Sequence, residues 1–230
     1  HVRRLPRVMP GSDGAGGVGR VGKGVDAARI GERVWIGDGQ WRRAFGTGAE
    51  LIARPSDQAV AMPDQVTFED AACFGIPAMT AWAAVFGSGP VEGKTVLVTG
   101  GAGTVGRYAC QMARLGGARV ITTTSSAEKA AHSTAEEWVN YRSGDVVAEV
   151  MEMTGGAGVD RIVDVDFGAN QDASLALVKE AGGIAAYASA ADMAPTLQFY
   201  PFMFKNVTLH MLIVYCLDAA TRRRGEAQMT

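Results

Sequence analysis

Three glycines recur at a spacing suited to binding a diphosphate. They lie in the segment Gly101-Ala102-Gly103-Thr104-Val105-Gly106. In this pattern the first glycine permits a tight turn, the second lets the backbone approach a diphosphate, and the third lets a helix pack closely on a strand. The segment follows the apolar run 96–98 and precedes a segment with helical spacing, so a phosphate would face unpaired N–H groups at a helix N-terminus. This context predicts a dinucleotide-binding turn; the alternative is a glycine-rich connection without a ligand.

The end of the next predicted strand indicates which dinucleotide is bound. NAD-binding proteins usually carry an acid there, which binds the ribose 2′-hydroxyl. This chain instead carries Ser125, Ser126 and Lys129, which could bind a 2′-phosphate. Because hydrogen bonds to charged groups contribute about 1.5–3 kcal/mol each, the segment predicts a preference for NADPH. The alternative for Lys129 is a solvated helix residue.

The elements that must position this turn change their pattern near residue 90. Before it, short apolar segments separated by glycines indicate a β-rich domain, and Thr67 with Asp70 predicts a helix start. After it, strand and helix patterns alternate, which predicts a doubly wound parallel α/β sheet. We therefore predict two domains, 1–90 and 91–230. The predicted strands of the second domain are 96–98, 119–123, 138–141, 161–165, 183–188 and 208–214.

Composition restricts the class of protein. Of 230 residues, 47% are hydrophobic and 20% are charged, as in an ordinary globular protein. The net charge of −2 disfavours binding of nucleic acid through bulk electrostatics, and no apolar run approaches the roughly 20 residues that span a bilayer. Cys73, Cys110 and Cys216 form no C-x-x-C pair, so we interpret them as small buried hydrophobic residues in a reducing, cytoplasmic compartment.

Over nearly all of residues 5–217 the chain resembles the medium-chain dehydrogenase/reductases, and specifically the zinc-free, zeta-crystallin-like NADPH:quinone oxidoreductases. The motifs that carry the resemblance are Leu5-Pro6, 10–16, 31–34, 71–81, the glycine turn, and Val139-Asn140-Tyr141-Arg142. The resemblance implies an incomplete β-rich GroES-like domain followed by a Rossmann domain. Such proteins have an earlier N-terminal stretch and a C-terminal segment that returns to the first domain, and we expect this chain to lack both.

The resemblance also assigns functional roles to individual residues. Tyr141 would lie beside the 2′-phosphate, and Thr80 would lie near the nicotinamide as the candidate catalytic residue that positions the reactants. Residues at the ends of later strands would line the cofactor: Asp166, Phe167, Gly168, Tyr187 and Ala188. For Phe167 and Tyr187 the alternative is core packing.

The same comparison predicts that no zinc is bound. Ser12 stands where zinc-dependent relatives have a histidine ligand, and Ile76 stands at a cysteine ligand. A catalytic zinc needs three protein ligands and an open position. Without a Lewis acid, a quinone or other conjugated carbonyl is an easier hydride acceptor than a simple ketone, because conjugation spreads the incoming charge. The sequence therefore predicts metal-free hydride transfer from NADPH to such an acceptor.

Three alternatives remain from the sequence. An enoyl-thioester reductase of the same superfamily is nearly indistinguishable, and a non-catalytic NADPH-binding protein, crystallin-like or regulatory, would carry the same turn. A short-chain dehydrogenase is disfavoured because Tyr200 is followed by lysine at Lys205, one position too far for Tyr-x-x-x-Lys. The resemblance further implies a homodimer formed partly through edge strands such as 208–214. A nucleic-acid contact at the arginine run 222–224 is disfavoured because its charge is local.

Overall fold

The computed structural model describes residues 7–229. In chain order the strands are β1 (Gly14–Gly17), β2 (Arg33–Ile36), β3 (Val60–Ala61), β4 (Thr95–Val98), β5 (Arg119–Thr124), β6 (Glu137–Asn140), β7 (Val159–Asp164), β8 (Val178–Ala186) and β9 (Thr208–Met211). The α-helices are α1 (Phe68–Ala71), α2 (Met79–Phe86), α3 (Thr104–Leu115), α4 (Ala127–Ser133), α5 (Val146–Met153), α6 (Phe167–Leu177), α7 (Phe199–Phe204) and α8 (Ala219–Met229). Short 3-10 helices lie at Ala27–Arg29, Ser56–Gln58 and Val214–Cys216, and a π-helix at Phe74–Ala78.

The described residues form two compact units. Residues 7–79 and 214–229 belong to the first unit, and residues 80–213 belong to the second. Within the second unit, the carbonyl groups that end α2 accept hydrogen bonds from the buried Arg161 of β7. The predicted domain boundary near residue 90 stays a prediction. The division into two units places residues 214–229 with the first unit, although no returning segment was expected; Val214 packs with Trp35 and Met79 in the core of that unit.

The first unit contains a small antiparallel sheet in the order β1–β2–β3. Its core is formed by Trp35, Met62, Ala71, Met79 and Val214. The predicted start of α1 is confirmed, since the Thr67 hydroxyl accepts a hydrogen bond from the Asp70 N–H group at 3.1 Å. The β-rich character of this part of the chain thus corresponds to three short strands.

The second unit contains the predicted parallel sheet, in the order β6–β5–β4–β7–β8–β9. The doubly wound fold is therefore confirmed. Its core includes Leu97, Ile121, Ile162, Leu177 and Ile184, all at most 1% exposed. The chain reverses its winding between the neighbouring strands β4 and β7, and at such a switch point open α/β sheets bind ligands beyond the carboxyl ends of their strands.

Several local predictions were wrong. Strand β9 ends at Met211 rather than residue 214, because residues 214–216 form a 3-10 helix. Cys73 and Cys216 are exposed, so only Cys110 is a buried cysteine.

Between residues 7 and 229, no helix combines the length and apolar character needed to cross a bilayer.

Candidate functional site: a glycine turn at the carboxyl edge of the parallel sheet

The glycine turn joins β4 to α3, as the sequence predicts. Gly100 enters the turn with φ of +69°, a left-handed conformation that glycine adopts without strain. Gly103 is the N-cap residue of α3, and no side chain caps that helix. Gly103 and Thr104 are exposed to solvent. The first turn of α3 therefore presents N–H groups to whatever lies beyond the sheet edge.

The glycines of the turn meet different surroundings. A Cβ atom on Gly101 would lie 2.1 Å from Thr122 Oγ1, and one on Gly106 would lie 2.3 Å from the Gly100 carbonyl oxygen. Those two glycines are thus required by packing. A Cβ atom on Gly103 would meet only the Gly100 carbonyl oxygen, at 3.3 Å. The space above Gly103 is otherwise open, which suits the close approach of a ligand.

Helix α3 lies close to the sheet because its buried face is made of small residues. Gly106, Ala109, Cys110 and Ala113 are all buried, at helical spacing. This close packing directs the helix N-terminus, with its partial positive charge, at the sheet edge. An uncapped helix N-terminus, an open glycine and a switch point together fit a bound diphosphate.

The predicted 2′-phosphate residues follow β5 and β6, which are neighbours at the same edge. Ser126 caps α4, since its hydroxyl accepts a hydrogen bond from the Lys129 N–H group at 3.2 Å. The Lys129 side chain is exposed, Ser125 is half-buried, and Tyr141 is 51% exposed. The Tyr141 N–H group donates to the Thr124 carbonyl at 3.1 Å, which extends the pairing of β6 with β5. A hydroxyl pair, an ammonium group and an aromatic ring thus follow two adjacent strand ends.

The residues predicted at the ends of β7 and β8 fall into two groups. The Asp166 carboxylate accepts a hydrogen bond from the Ala191 N–H group, and the Gly168 N–H group donates to Ser189 Oγ at 2.9 Å. Phe167 differs, because its side chain is 2% exposed and packs against Phe202 in the core. Core packing therefore accounts for the burial of the Phe167 side chain, and its assignment as a cofactor-lining residue stays a prediction.

Tyr187 and Ala188 follow β8 and are tied to β7 and α6 through their backbone. The Tyr187 N–H group donates to the Asp164 carbonyl at 3.1 Å, and the Phe167 N–H group donates to the Ala188 carbonyl at 2.9 Å. Burial, with the nearby charges of Asp164 and Cys110, raises the pKa of Tyr187 above its ordinary value. Its phenol therefore keeps its proton at neutral pH.

Thr80 lies in the first turn of α2 and is 6% exposed. It belongs to the second unit but stands on a helix rather than at a strand end, so the sheet edge does not itself place it among the other predicted residues. Its assignment near the nicotinamide remains a prediction.

Sequence analysis missed a polar network at the switch point. Asp164 is fully buried, and its Oδ1 atom accepts hydrogen bonds from Thr99 Oγ1 at 3.0 Å and Asn170 Nδ2 at 2.8 Å. Its Oδ2 atom has no hydrogen-bond partner among the described residues. This network joins the ends of β4 and β7 to the start of α6. An acid that ends an apolar buried strand was the available signal, because a buried carboxylate requires hydrogen bonds.

The positions that correspond to zinc ligands do not form a metal site. The Ser12 hydroxyl lies 3.3 Å from the Tyr215 hydroxyl, and the Ile76 N–H group donates to Asp13 Oδ1 at 2.6 Å. Burial raises the pKa of Asp13 to about 6. Within residues 7–229, no group of three or more His, Cys, Asp or Glu side chains is arranged to hold a metal ion. A hydroxyl and an aliphatic side chain at these two positions are poorer zinc ligands than histidine and cysteine, and metal independence stays a prediction.

A cavity of about 940 Å³ lies in the first unit. Trp41 and Tyr215 stack in its wall with ring centroids 4.3 Å apart, and Asp38 pairs with Arg222 at 2.7 Å. None of the residues predicted to bind a cofactor lines this cavity. It therefore does not enter the assignment of the dinucleotide site.

Comparisons with known proteins give the same class as the fold and the turn. A family model described as zinc-binding dehydrogenase matches residues 104–225. The quinone oxidoreductase of Pongo abelii is 31% identical over 179 residues, which are 76% of this chain and 53% of that protein. The solved structure of a quinone oxidoreductase from Pseudomonas syringae pv. Tomato DC3000 has a TM-score of 0.84 at 29% identity, over 98% of this chain and 70% of that one. A mycobacterial protein solved in complex with NADPH has a TM-score of 0.80 at 32% identity, over 95% of this chain and 68% of that one.

The chain belongs to the zinc-binding dehydrogenase family, in the quinone oxidoreductase branch of the medium-chain dehydrogenase/reductases. It spans about half the length of the curated relatives it matches. The segment matched by the family model begins after Ser12 and Ile76, so the name of the family carries no information about those two positions.

Proposed function

We propose that this chain binds NADPH and that the protein transfers hydride to a quinone or other conjugated carbonyl without a metal ion. NADPH supplies the hydride when it is bound. The relatives named quinone oxidoreductase and the NADPH complex of a mycobacterial neighbour support this proposal. The donor set at Ser12 and Ile76 supports the metal-free part, since a hydroxyl already paired with Tyr215 and an aliphatic side chain are poor zinc ligands.

One observation carries the proposal. Helix α3 begins at Gly103 without a side-chain cap, directly beside the switch point between β4 and β7. Its first N–H groups would bind the diphosphate, with the helix dipole adding favourable charge. The role of the glycine turn is therefore to bring backbone donors to the cofactor without a side chain in the way.

The other predicted residues have separate roles in this proposal. Ser125, Ser126 and Lys129 bind the 2′-phosphate, with Tyr141 beside it. Asp166, Gly168, Tyr187 and Ala188 line the cofactor at the ends of β7 and β8, together with the backbone of Phe167. Thr80 positions the nicotinamide and acceptor. Alignment of the reacting carbons and exclusion of water are what the protein contributes to the hydride step.

Titration of NADPH and NADH, followed by nicotinamide fluorescence, tests the cofactor assignment. We expect tighter binding of NADPH, and a roughly tenfold to hundredfold loss of NADPH affinity in Lys129→Ala with little change for NADH. Lys23→Ala, which removes an exposed lysine of the first unit, is the matched control and should change neither affinity. Equal losses for both dinucleotides in Lys129→Ala would contradict the 2′-phosphate role.

An acceptor screen with NADPH tests the reaction. Quinones and α,β-unsaturated ketones should be reduced, and prior treatment with a zinc chelator should leave the rate unchanged. Faster turnover of enoyl thioesters would instead favour the enoyl-thioester reductase. Tight NADPH binding without turnover of any acceptor would favour a non-catalytic protein.

A homodimer and a reducing, cytoplasmic location complete the proposal. Among the described residues β9 pairs only with β8, so its other edge is available to a second copy. Helix α7 next to it in the chain exposes Phe199, Tyr200 and Phe204 by 60%, 65% and 77%. Light scattering after size exclusion should give twice the chain mass of 24.1 kDa, and a monomer mass would overturn the dimer.

A further inference from the structure

Two threonine hydroxyls of β5 lie beneath the glycine turn. The Gly100 N–H group donates to Thr123 Oγ1 at 3.1 Å, and the Gly101 N–H group donates to Thr122 Oγ1 at 3.1 Å. Thr122 is fully buried and Thr123 is 5% exposed. Burying a hydroxyl is unfavourable unless it is hydrogen-bonded, so the bonds to the turn account for these polar residues near the carboxyl end of the strand.

Thr122 connects three elements through one oxygen atom. Its hydroxyl donates to the Val98 carbonyl of β4 at 2.7 Å and accepts from the Gly101 N–H group of the turn. Strands β4 and β5 and the glycine turn are therefore joined at one hydroxyl group. Burial raises the pKa of the Cys110 thiol of α3 to about 11, and the Thr122 hydroxyl opposes this shift. Only glycine fits at residue 101, because a Cβ atom there would lie 2.1 Å from Thr122 Oγ1.

These bonds divide the backbone donors of the turn into two sets. The N–H groups of Gly100 and Gly101 are bonded to β5, and the first N–H groups of α3 have no side-chain cap. The apparent affinity for a ligand falls in proportion to the fraction of molecules that are in the binding-competent conformation. A turn that is already held in this conformation therefore binds a diphosphate more tightly than a turn that must first become ordered.

We propose that Thr122 and Thr123 are positioning residues for the dinucleotide, which hold the turn so that the N–H groups of α3 receive the diphosphate. This inference rests on the proposed function. It differs from the role of Lys129, because the diphosphate is common to both dinucleotides. The threonines should therefore set the affinity for NADPH and NADH alike.

The test removes each hydroxyl at nearly constant shape, with Thr122→Val and Thr123→Val. Each variant should bind both NADPH and NADH about 3- to 10-fold more weakly, as expected for one lost hydrogen bond, with an unchanged ratio between the two affinities. Thr122→Ser and Thr123→Ser keep the hydroxyl and should restore binding. Dissociation constants are measured by fluorescence titration, so the readout does not depend on turnover.

Thr154→Val is the matched control. The Gly158 N–H group donates to Thr154 Oγ1 at 3.1 Å, and Thr154 Oγ1 donates to the Val150 carbonyl at 2.8 Å. The same pair of bonds thus occurs at the end of α5, away from the glycine turn. Thr154→Val should lower the melting temperature but leave both dissociation constants unchanged.

The outcomes separate the two proposals. If the wild-type protein binds neither dinucleotide, the proposed function fails. If the wild-type protein binds NADPH but Thr122→Val and Thr123→Val bind it as tightly as Thr154→Val does, the positioning role is wrong.

Hydrogen exchange of the wild-type protein provides a second test that needs no variant. Without dinucleotide, the amides of Gly100 and Gly101 should be protected. Those of residues 104–106 should become protected only when NADPH is added. Exchange of the Gly100 amide, which donates to Thr123 Oγ1, at the rate of a free amide would overturn the inference even if the valine variants failed to fold. The Gly101 amide also donates to the Thr123 backbone carbonyl at 3.2 Å, so its protection alone does not test the role of the hydroxyls.

Discussion

The helices that follow successive strands of the parallel sheet begin in two different ways. Helix α4 begins at Ser126, whose hydroxyl accepts the Lys129 N–H group, and α5 begins at Asp145, whose carboxylate accepts the N–H groups of residues 147 and 148. Helix α3 begins at Gly103 and has no such cap. A side-chain cap satisfies donors that would otherwise need water or a ligand. Helix α6, which follows β7, also lacks a cap from its N-cap residue Asp166, but its first N–H groups donate to the Ala188 carbonyl and to Ser189 Oγ. The comparison therefore shows that α3 differs from α4, α5 and α6 in having no such partner, among the described residues, for the first N–H groups of the helix.

The largest expected effect is a loss of stability in Gly106→Ala, which we compare with Gly103→Ala in the same turn. Gly106→Ala places a Cβ atom 2.3 Å from the Gly100 carbonyl oxygen, and it should lower the free energy of unfolding by about 3 kcal/mol because backbone atoms must move. Gly103→Ala meets a single contact at 3.3 Å and should leave stability nearly unchanged while weakening NADPH binding. Urea denaturation and NADPH titration of both variants check this.

The opposite result would remove the distinction between packing glycines and the ligand glycine. If Gly103→Ala unfolded the protein as readily as Gly106→Ala, packing alone would explain the whole motif. If it bound NADPH as tightly as the wild type, the open space above Gly103 would have no role in binding.

The second prediction concerns α2, whose C-terminal carbonyl groups are bound by the buried guanidinium of Arg161. Arg161 is 6% exposed, and its guanidinium donates to the carbonyls of Val85, Ser88 and Gly89 at the end of α2. Burial lowers its pKa, and no carboxylate contributes to that shift. Arg161→Met should cost about 2–3 kcal/mol of unfolding free energy, because the buried Val85 carbonyl and the partly buried carbonyls of Ser88 and Gly89 lose their donor.

Arg119→Met is the control for Arg161→Met. Arg119 makes a bidentate, solvent-exposed ion pair with Glu137 at 2.6 Å and donates to the Met153 carbonyl at 2.7 Å. Its loss should cost less than the loss of Arg161, because water can solvate the exposed groups left behind. Chemical denaturation of both variants gives the difference. Equal stabilities would show that the carbonyl groups at the end of α2 do not need Arg161.

Features that depend on residues close together in the chain were predicted from the sequence, whereas features that depend on residues far apart in the chain were not. The glycine spacing and the alternation of strands and helices predicted the sheet and its turn, because both depend on local sequence. The hydroxyls of Thr122 and Thr123 were not predicted to contact the turn, since those bonds join residues 21 and 23 positions apart.

The predicted site shows the same limit. Phe167 follows a strand end as the cofactor-lining residues do, and sequence alone left core packing and cofactor contact equally open. Its burial against Phe202 depends on where α7 packs, which is tertiary information. Likewise the bond of Arg161 to the Val85 carbonyl joins residues 76 positions apart, beyond the reach of local sequence patterns.

The third prediction tests the Asp13 carboxyl group, which accepts a hydrogen bond from the Ile76 N–H group. Burial, followed by the charge of Asp38, raises the pKa of Asp13 from 3.8 to about 6, although its bond to the Ile76 N–H group opposes the shift. A carboxyl group with a raised pKa in the folded state stabilises that state when protonated, so this stability is present below about pH 4 and is lost as the pH rises through 6. Asp13→Asn keeps an oxygen acceptor without the charge.

Asp13→Asn should therefore be more stable than the wild type at pH 7 by about 1–2 kcal/mol. This is less than the roughly 3 kcal/mol that two pKa units represent, because the group is only partly buried and solvent screens it. The gain should vanish near pH 4. Denaturation curves of both proteins between pH 4 and 8 check this, and a pH-independent difference would contradict the raised pKa.

The smallest expected effect concerns α5, one of the helices that has a side-chain cap. Asp145→Ala removes an acceptor for two N–H groups of α5, at 3.0 and 3.1 Å, and should cost about 1 kcal/mol of unfolding free energy. Added NADPH should raise the melting temperature of this variant by as much as that of the wild type, because α5 presents no donor to the cofactor.

In contrast, a cap introduced at α3 by Gly103→Asp should reduce the NADPH-induced increase in melting temperature, since the new carboxylate competes for the same N–H groups and repels the diphosphate. If Asp145→Ala reduced that increase and Gly103→Asp did not, the dinucleotide would have to be bound at a capped helix, and the distinction between α3 and its neighbours would lose its functional meaning.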